Sequence, residues 1–287
     1  MINKSYEGVV ATTKKAIRVA LPRASAYAAY LKALFENEVE LRLLPWLCDP
    51  NQVAIDVGAF TGTYTLGLSI YARHVLAVEP QPWQAQLLRS SMPSNVTVVE
   101  AALSNSFGRA CIKLSSPRGG SMSTLQSRSD TRNWSEISVP VMRIDDLYAG
   151  TVGFIKVDAE GHELEILRGG QIILQRDKPN LLVEIEERHN TGSIGRVLSM
   201  MSELGYRMLF VRRNRLHEIG DFDLARDQDL RLLLTGGKRR SYRDYINNFV
   251  FVHPDRSTTI PFNVGSGFKV AIKTLADSFL RNKGLEF

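Results

Sequence analysis

Residues 53–69 read VAIDVGAFTGTYTLGLS. One acid, Asp56, interrupts an apolar run that stops at a turn around Gly58, and a helix-like stretch begins near Thr63. A short apolar run closed by glycine reads as a buried strand, and the segment after it has helical spacing. A carboxylate at the end of such a strand costs several kcal/mol of desolvation unless a partner offsets it. The identity of that partner bears directly on function.

Working outward, the same rhythm repeats. HVLAVEP (74–80) is a second strand, PWQAQLLRSSM (82–92) a helix and NVTVVEAAL (95–103) a third strand. GFIKVDAEG (153–161) is a strand, HELEILRGGQIILQ (162–175) a helix, PNLLVEIEE (179–187) a strand and TGSIGRVLSMMSELG (191–205) a helix. YRMLFVR (206–212) and NNFVFVHP (247–254) are two last strands. Between them, 104–140 is rich in Ser, Gly and Arg and predicts a small strand followed by a long, mobile loop centred on 115–135. Upstream, residues 24–47 read as a helix broken near its end by Pro45. Strands alternating with helices imply an α/β fold: a mostly parallel sheet with helices on both faces. Ligands of such sheets gather at the carboxyl ends of the strands, near the switch point. The residues to watch are therefore Asp56, Glu79, Ser104, Asp158 and Glu184.

The chain has 287 residues, 44% hydrophobic and 23% charged, as in an ordinary globular protein. The boundaries read as an N-terminal helical extension (1–50), an α/β domain (51–255) and a helical C-terminal tail (256–287). The net charge is +6, with basic clusters at 12–23, 211–215 and 237–243. Such clusters are solvated surface, or they meet an anionic polymer or membrane surface. Cys48 and Cys111 are too few for a disulfide framework and read as reduced thiols. No stretch approaches the roughly 18 apolar residues of a membrane span. A cytoplasmic protein is expected.

Gly58 lets the backbone turn tightly, and Glu79 follows about twenty residues on, where nucleotide-binding α/β folds place the acid that reads a ribose. A full GxGxxG is missing, which disfavours a pyrophosphate and with it an NAD-dependent oxidoreductase. A ligand with a ribose and no phosphate fits better. S-adenosylmethionine (SAM) is such a ligand, and its ammonium and sulfonium centres favour nearby carboxylates.

Lys156, Asp158, Glu160, His162 and Glu163 crowd the next strand end. Acids there also suit a helix N-terminus, but so many ionisable groups at a ligand edge is how sites shift pKa values. His162 is the best general-base candidate, because its ordinary pKa lies near neutrality. Glu184 and Glu186 are expected to share one strand face. With His189 and Asp158, Glu184 offers a hard-cation site, although a lone His beside a carboxylate is more often only hydrogen-bonded. No metal is expected.

AIDVGAFTGTYTL (54–66), VLAVEPQP (75–82), EAALSNSFG (100–108), RIDDL (143–147), FIKVDAEGHELEILRGG (154–170) and KPNLLVEIEE (178–187) follow in this order. Together they resemble the FkbM-type SAM-dependent methyltransferases, and NNFVFVHP resembles the family's last strand. The resemblance implies a seven-stranded, Rossmann-like class I methyltransferase sheet with its last strand antiparallel. It implies SAM as cofactor and O-methylation of a sugar, glycan or natural-product hydroxyl. Asp56, Gly58, Ala59, Gly62 and Glu79 would hold SAM, with Ala102 and Ser104 beside the adenine. Asp158, Glu160, His162 and Glu163 would face the methyl group and the acceptor, and Lys156 is counted with His162, Asp158 and Glu160 as a catalytic candidate. The family commonly has Asn where Phe60 stands. Asp56 would then be held charged by the cationic end of SAM and by N–H groups of the glycine turn.

Two other readings remain. A nucleic-acid methyltransferase suits the basic balance; Lys156 and Glu184 tempt a ribose 2′-O reading, but no clear second lysine is present. A non-catalytic binding module would use the tail GFKVAIKTLADSFLRNKGLEF (267–287) as a basic amphipathic helix. Small-molecule or glycan acceptors are expected as partners, and nucleic acid is not.

Overall fold

The computed structural model describes residues 21–36, 38–114, 123–124, 135–233, 244–256 and 259–281. Most of the loop expected over 115–135, the basic run at 237–243 and most of the run at 12–23 lie outside the described residues.

Strands β1 (Val53–Val57), β2 (His74–Val78) and β3 (Val96–Val99) run side by side in parallel. The chain then leaves to build β4 (Ala102–Leu103), β5 (Gly108–Leu114), β6 (Ser123–Thr124) and β7 (Ser135–Met142), a second sheet of order β4-β7-β5-β6. It returns as β8 (Val152–Val157), β9 (Asn180–Glu184), β10 (Arg207–Arg212), β11 (Arg215–Glu218) and β12 (Asn248–Val252). The main sheet has the order β11-β10-β12-β9-β8-β1-β2-β3, and β12 runs antiparallel to both neighbours. The order reverses between β1 and β8, so the switch point lies there. With β11 set aside, this is the class I methyltransferase sheet.

Two expectations about the strands need correction. The sheet has eight strands rather than seven, because Arg213 and Asn214 both adopt positive φ (52° and 61°) and fold β11 back on β10. A two-residue turn of that kind without glycine is hard to read. The region 104–140 is more than one small strand, since β5 and β7 pair along their whole length from Gly108↔Val141 to Leu114↔Ser135.

The helices are α1 (Pro22–Glu36), α2 (Leu44–Leu47), α3 (Thr63–Tyr71), α4 (Pro82–Ser91), α5 (Glu163–Arg168), α6 (Gln171–Asp177), α7 (Ser193–Glu203), α8 (Leu224–Asp227) and α9 (Gly265–Arg281). A 3-10 turn, Val39–Leu43, separates α1 from α2, so the single helix expected over 24–47 is broken well before Pro45. The helix expected over 162–175 is also two. A β-carbon at Gly169 would stand 2.1 Å from the Ser104 carbonyl oxygen, so the break lets another loop approach.

Period two sorts the strand side chains between two cores. Ala54, Phe154, Leu182 and Val250 face Tyr30, Leu34, Leu41 and Leu44 from the segment before the sheet. Ile55, Val57, Ile155 and Val183 face Leu164, Leu167, Val197 and Met201 on the opposite side. Each fully buried branched side chain of this kind contributes about 1.5–3 kcal/mol. By the same alternation Asp56, Lys156 and Glu184 belong to the first face, at its carboxyl end. Asp56 and Lys156 are direct register partners across β1 and β8.

The last helix returns to the start of the chain. The Arg42 guanidinium donates to the Leu34 carbonyl at 2.9 and 3.1 Å and lies 5.4 Å from the Phe268 ring. Phe268 meets Phe35 edge to face at 4.6 Å. Gly267 sits where a β-carbon would be 2.0 Å from the Arg42 carbonyl oxygen. Among the described residues no helix is long and apolar enough to cross a membrane.

Candidate active site

The turn after β1 is held by its own backbone. The N–H groups of Gly58 and Ala59 both donate to the Val78 carbonyl, at 3.0 and 3.1 Å, and tie the ends of β1 and β2 together. The Phe60 and Gln81 N–H groups donate to the two oxygens of Glu79 at 2.8 and 2.9 Å. Phe60 takes φ 44° to do so, a left-handed conformation rare for a bulky residue, and Glu160 takes φ 51° in the facing loop. Gly58, at φ 77°, passes so close to the loop after β8 that no side chain fits.

These loops enclose two adjoining chambers. The first is lined by Val57, Val78, Glu79, Ala102, Leu103 and Ile166, with Glu160 and His162 at its edge; its volume is about 130 Å³. The second is lined by Glu38, Asp56, Tyr64, Lys156, Asp158 and Glu184, with a volume of about 210 Å³. Gly58, Phe60 and Asp158 belong to both. One chamber is a mostly apolar slot with Glu79 on its wall and Asp158 and Glu160 along one side. The other is polar and acidic.

In the first chamber burial pushes the Glu79 carboxyl up to about 7, against the pull of its two backbone donors. His162 Nε2 lies 3.0 Å from the Ser104 hydroxyl, and burial lowers its pKa below the usual histidine value. Among the residues singled out from sequence, Ala102 lines this chamber, while Ser104 reaches it only through His162. Gly62 lines neither chamber; a β-carbon there would strike Met92 and Leu88, so it serves packing. Glu163 is buried and folds back to accept the Gly161 N–H at 2.8 Å.

In the second chamber Asp56 is buried, and burial pushes its carboxyl up to about 6. The Thr65 hydroxyl, one turn into α3, donates to it at 2.5 Å. The glycine-turn N–H groups are not its partners; they are committed to Val78 and Glu79. Glu38 accepts the Tyr64 hydroxyl at 3.1 Å, and burial raises its pKa. Glu184 accepts from Asn247 Nδ2 at 2.7 Å and is raised well above the carboxylate range, chiefly by burial. Burial opposes the charge on Lys156, yet Asp158, Glu184, Glu38 and Asp56 together hold its pKa above the usual lysine value.

Glu184 and Glu186 do not share a face. β9 ends at Glu184, and Glu186 turns away to pair with Arg188 and accept the Tyr245 hydroxyl at 2.8 Å. His189 lies 3.3 Å from Glu160 rather than beside Asp158 and Glu184. Among the described residues no group of three His, Cys, Asp or Glu side chains is disposed to hold a metal ion. Glu38, Tyr64, Thr65 and Asn247 were not visible as site residues in the sequence. Glu38 alone carries a weak signal, as an acid two positions from both Glu36 and Glu40 and so off the helical face those two would share.

The strand order is that of the class I methyltransferase fold. The family described as the methyltransferase FkbM domain matches residues 56–208, more than half of the chain, and the chain belongs to that family. No curated protein matches it. Solved structures similar to it include an FkbM methyltransferase from Methylobacillus flagellatus, 16% identical with a TM-score of 0.46. That match covers 71% of this chain and 44% of the other, so the chain spans less than half of that protein's length. An rRNA methylase from Streptococcus thermophilus is 10% identical, covering 75% of this chain and 93% of that one, with a TM-score of 0.42. M. jannaschii TYW2, solved with AdoMet, is 14% identical, covering 76% of each chain, with a TM-score of 0.38.

Proposed function

We propose that this chain is a SAM-dependent O-methyltransferase whose acceptor is a hydroxyl of a small polar molecule or glycan. The observation that carries the reading is the pair of adjoining chambers, one suited to an adenosine and the other to cations and hydroxyls. The donor set fits SAM: Glu79 beside an apolar slot suits a ribose and adenine, and carboxylates beyond Gly58 suit ammonium and sulfonium centres. SAM, when bound, supplies an electrophilic methyl group.

The chain's own part is to position and to move a proton. Gly58, Phe60 and Asp158 form the junction, where an acceptor oxygen is held in line. Glu38 and Tyr64 hold and orient the acceptor. Glu184, fixed by Asn247 at the acceptor side of the chamber, takes the hydroxyl proton. His162 belongs in this reading to the adenosine side, with Ser104, and not to proton transfer.

The test is transfer of a labelled methyl group from SAM to a panel of neutral glycosides and polyhydroxylated metabolites, with a structured RNA as a further arm. An oxygen-linked methyl on a small acceptor supports the reading. Methylation of the RNA alone, or of a nitrogen, overturns it.

A further inference from the structure

The second chamber holds several carboxylates and, among the described residues lining it, one cation, Lys156. The Lys156 side chain is 1% exposed. Its three N–H donors find only distant partners: Asn248 Oδ1 at 3.3 Å, the Val157 carbonyl at 3.4 Å and the Tyr64 ring face 5.0 Å away. Its ion-pair contact, Glu184, lies at 3.9 Å. Charge-assisted bonds of an ammonium normally run near 2.7–2.9 Å. Among the described residues no carboxylate oxygen is within hydrogen-bonding distance. A buried ammonium without a close counter-ion costs several kcal/mol. The surrounding acids keep it charged from a distance and leave its donors only weakly engaged, by Asn248 and Val157.

Its place in the fold narrows what it can be for. Lys156 is the register partner of Asp56, directly under the turn that runs from Gly58 into α3. The same chamber is lined by Ala59, Thr61 and Thr63 of that turn. A ligand threaded here meets one positive point in an otherwise acidic wall. The methionine end of SAM is a matching zwitterion: its cationic centres suit the acids, and its single carboxylate suits the single cation.

We infer that Lys156 is the binding group for the α-carboxylate of the cofactor. The inference rests on the reading of the chain as SAM-dependent. It gives Lys156 a binding role, distinct from proton transfer and from mere neutralisation of its neighbours.

The test compares two ligands that differ only in that carboxylate, SAM and decarboxylated SAM, by calorimetric titration of the full chain. Wild type binds SAM at least about tenfold more tightly than the decarboxylated form. Lys156→Met loses at least about tenfold for SAM and less than about threefold for decarboxylated SAM, so the preference disappears. Lys156→Arg keeps the cation and keeps most of the preference. Equal affinities in wild type overturn the inference without any variant and leave the SAM reading standing. So does an equal loss for both ligands in a folded Lys156→Met. Failure of wild type to bind either ligand overturns the SAM reading and the inference with it.

Discussion

A β-carbon on Gly58 would stand 1.9 Å from the backbone oxygen of Asp158. The turn after β1 and the turn after β8 are thus in backbone contact, and the Asp158 N–H closes the same seam by donating to the Val57 carbonyl at 3.0 Å. Gly58→Ala must open this seam while holding φ 77°, which suits glycine alone. A loss of about 2–4 kcal/mol in stability is expected, together with loss of SAM binding. Denaturant unfolding and calorimetry check both, and a fully stable variant would contradict the geometry.

The buried acids make the empty protein sensitive to pH. The folded-state pKa values of Asp56 and Glu79, about 6 and 7, lie above their ordinary values. For a carboxyl raised in the folded state, the native form holds the proton longer than the unfolded form. Its contribution to stability is therefore lost as pH rises, here between about 4 and 7. SAM binding should run the other way, tightening over about pH 6–7 as both groups ionise. Melting curves and titrations from pH 5 to 8 give both slopes, and a flat binding profile would count against the assignment of these two acids.

Phe60 stores backbone strain at the junction of the chambers. Asn tolerates the left-handed region far better than Phe. Phe60→Asn should therefore raise stability by about 1 kcal/mol, a shift of about 2–4 °C in melting temperature. Unchanged or lower melting would mean that packing of the ring outweighs the strain.

Proton transfer separates His162 from Glu184. Glu184→Gln should lower kcat by about a hundredfold or more, the scale of a lost general base, and leave the Kd for SAM within about threefold. It should also flatten the pH profile of kcat. His162→Gln should weaken SAM and keep the shape of that profile. The opposite pattern would return the base to His162.

Much of this was legible because strand ends announce themselves. The acids that close apolar runs, Asp56, Glu79, Asp158 and Glu184, all line the two chambers. The mostly parallel sheet followed from the same runs, whereas the antiparallel last strand came only from the family resemblance. What the sequence hides is which chamber a residue enters. Lys156 and His162 are six positions apart, yet they lie on the walls of different chambers, because Glu160 and Gly161 at positive φ turn the chain between them. Glu38 was hidden for another reason. It reads as helix, and it stands instead at the break where α1 gives way to the 3-10 turn. The Glu184–Glu186 pairing failed because alternation holds only while the strand lasts.

The grip of Gly267 and Phe268 on Arg42 and Phe35 also carries a consequence for biosynthesis. The segment that delivers Glu38 is synthesised well before its outer support, which comes from residues far downstream in the chain. Contacts so distant along the chain form late. A ribosome-bound nascent chain can complete the sheet and the Glu79 slot while the Glu38 wall still lacks its brace. Competence to bind the cofactor should therefore precede competence to select an acceptor, and a chain released before α9 would acquire the first without the second.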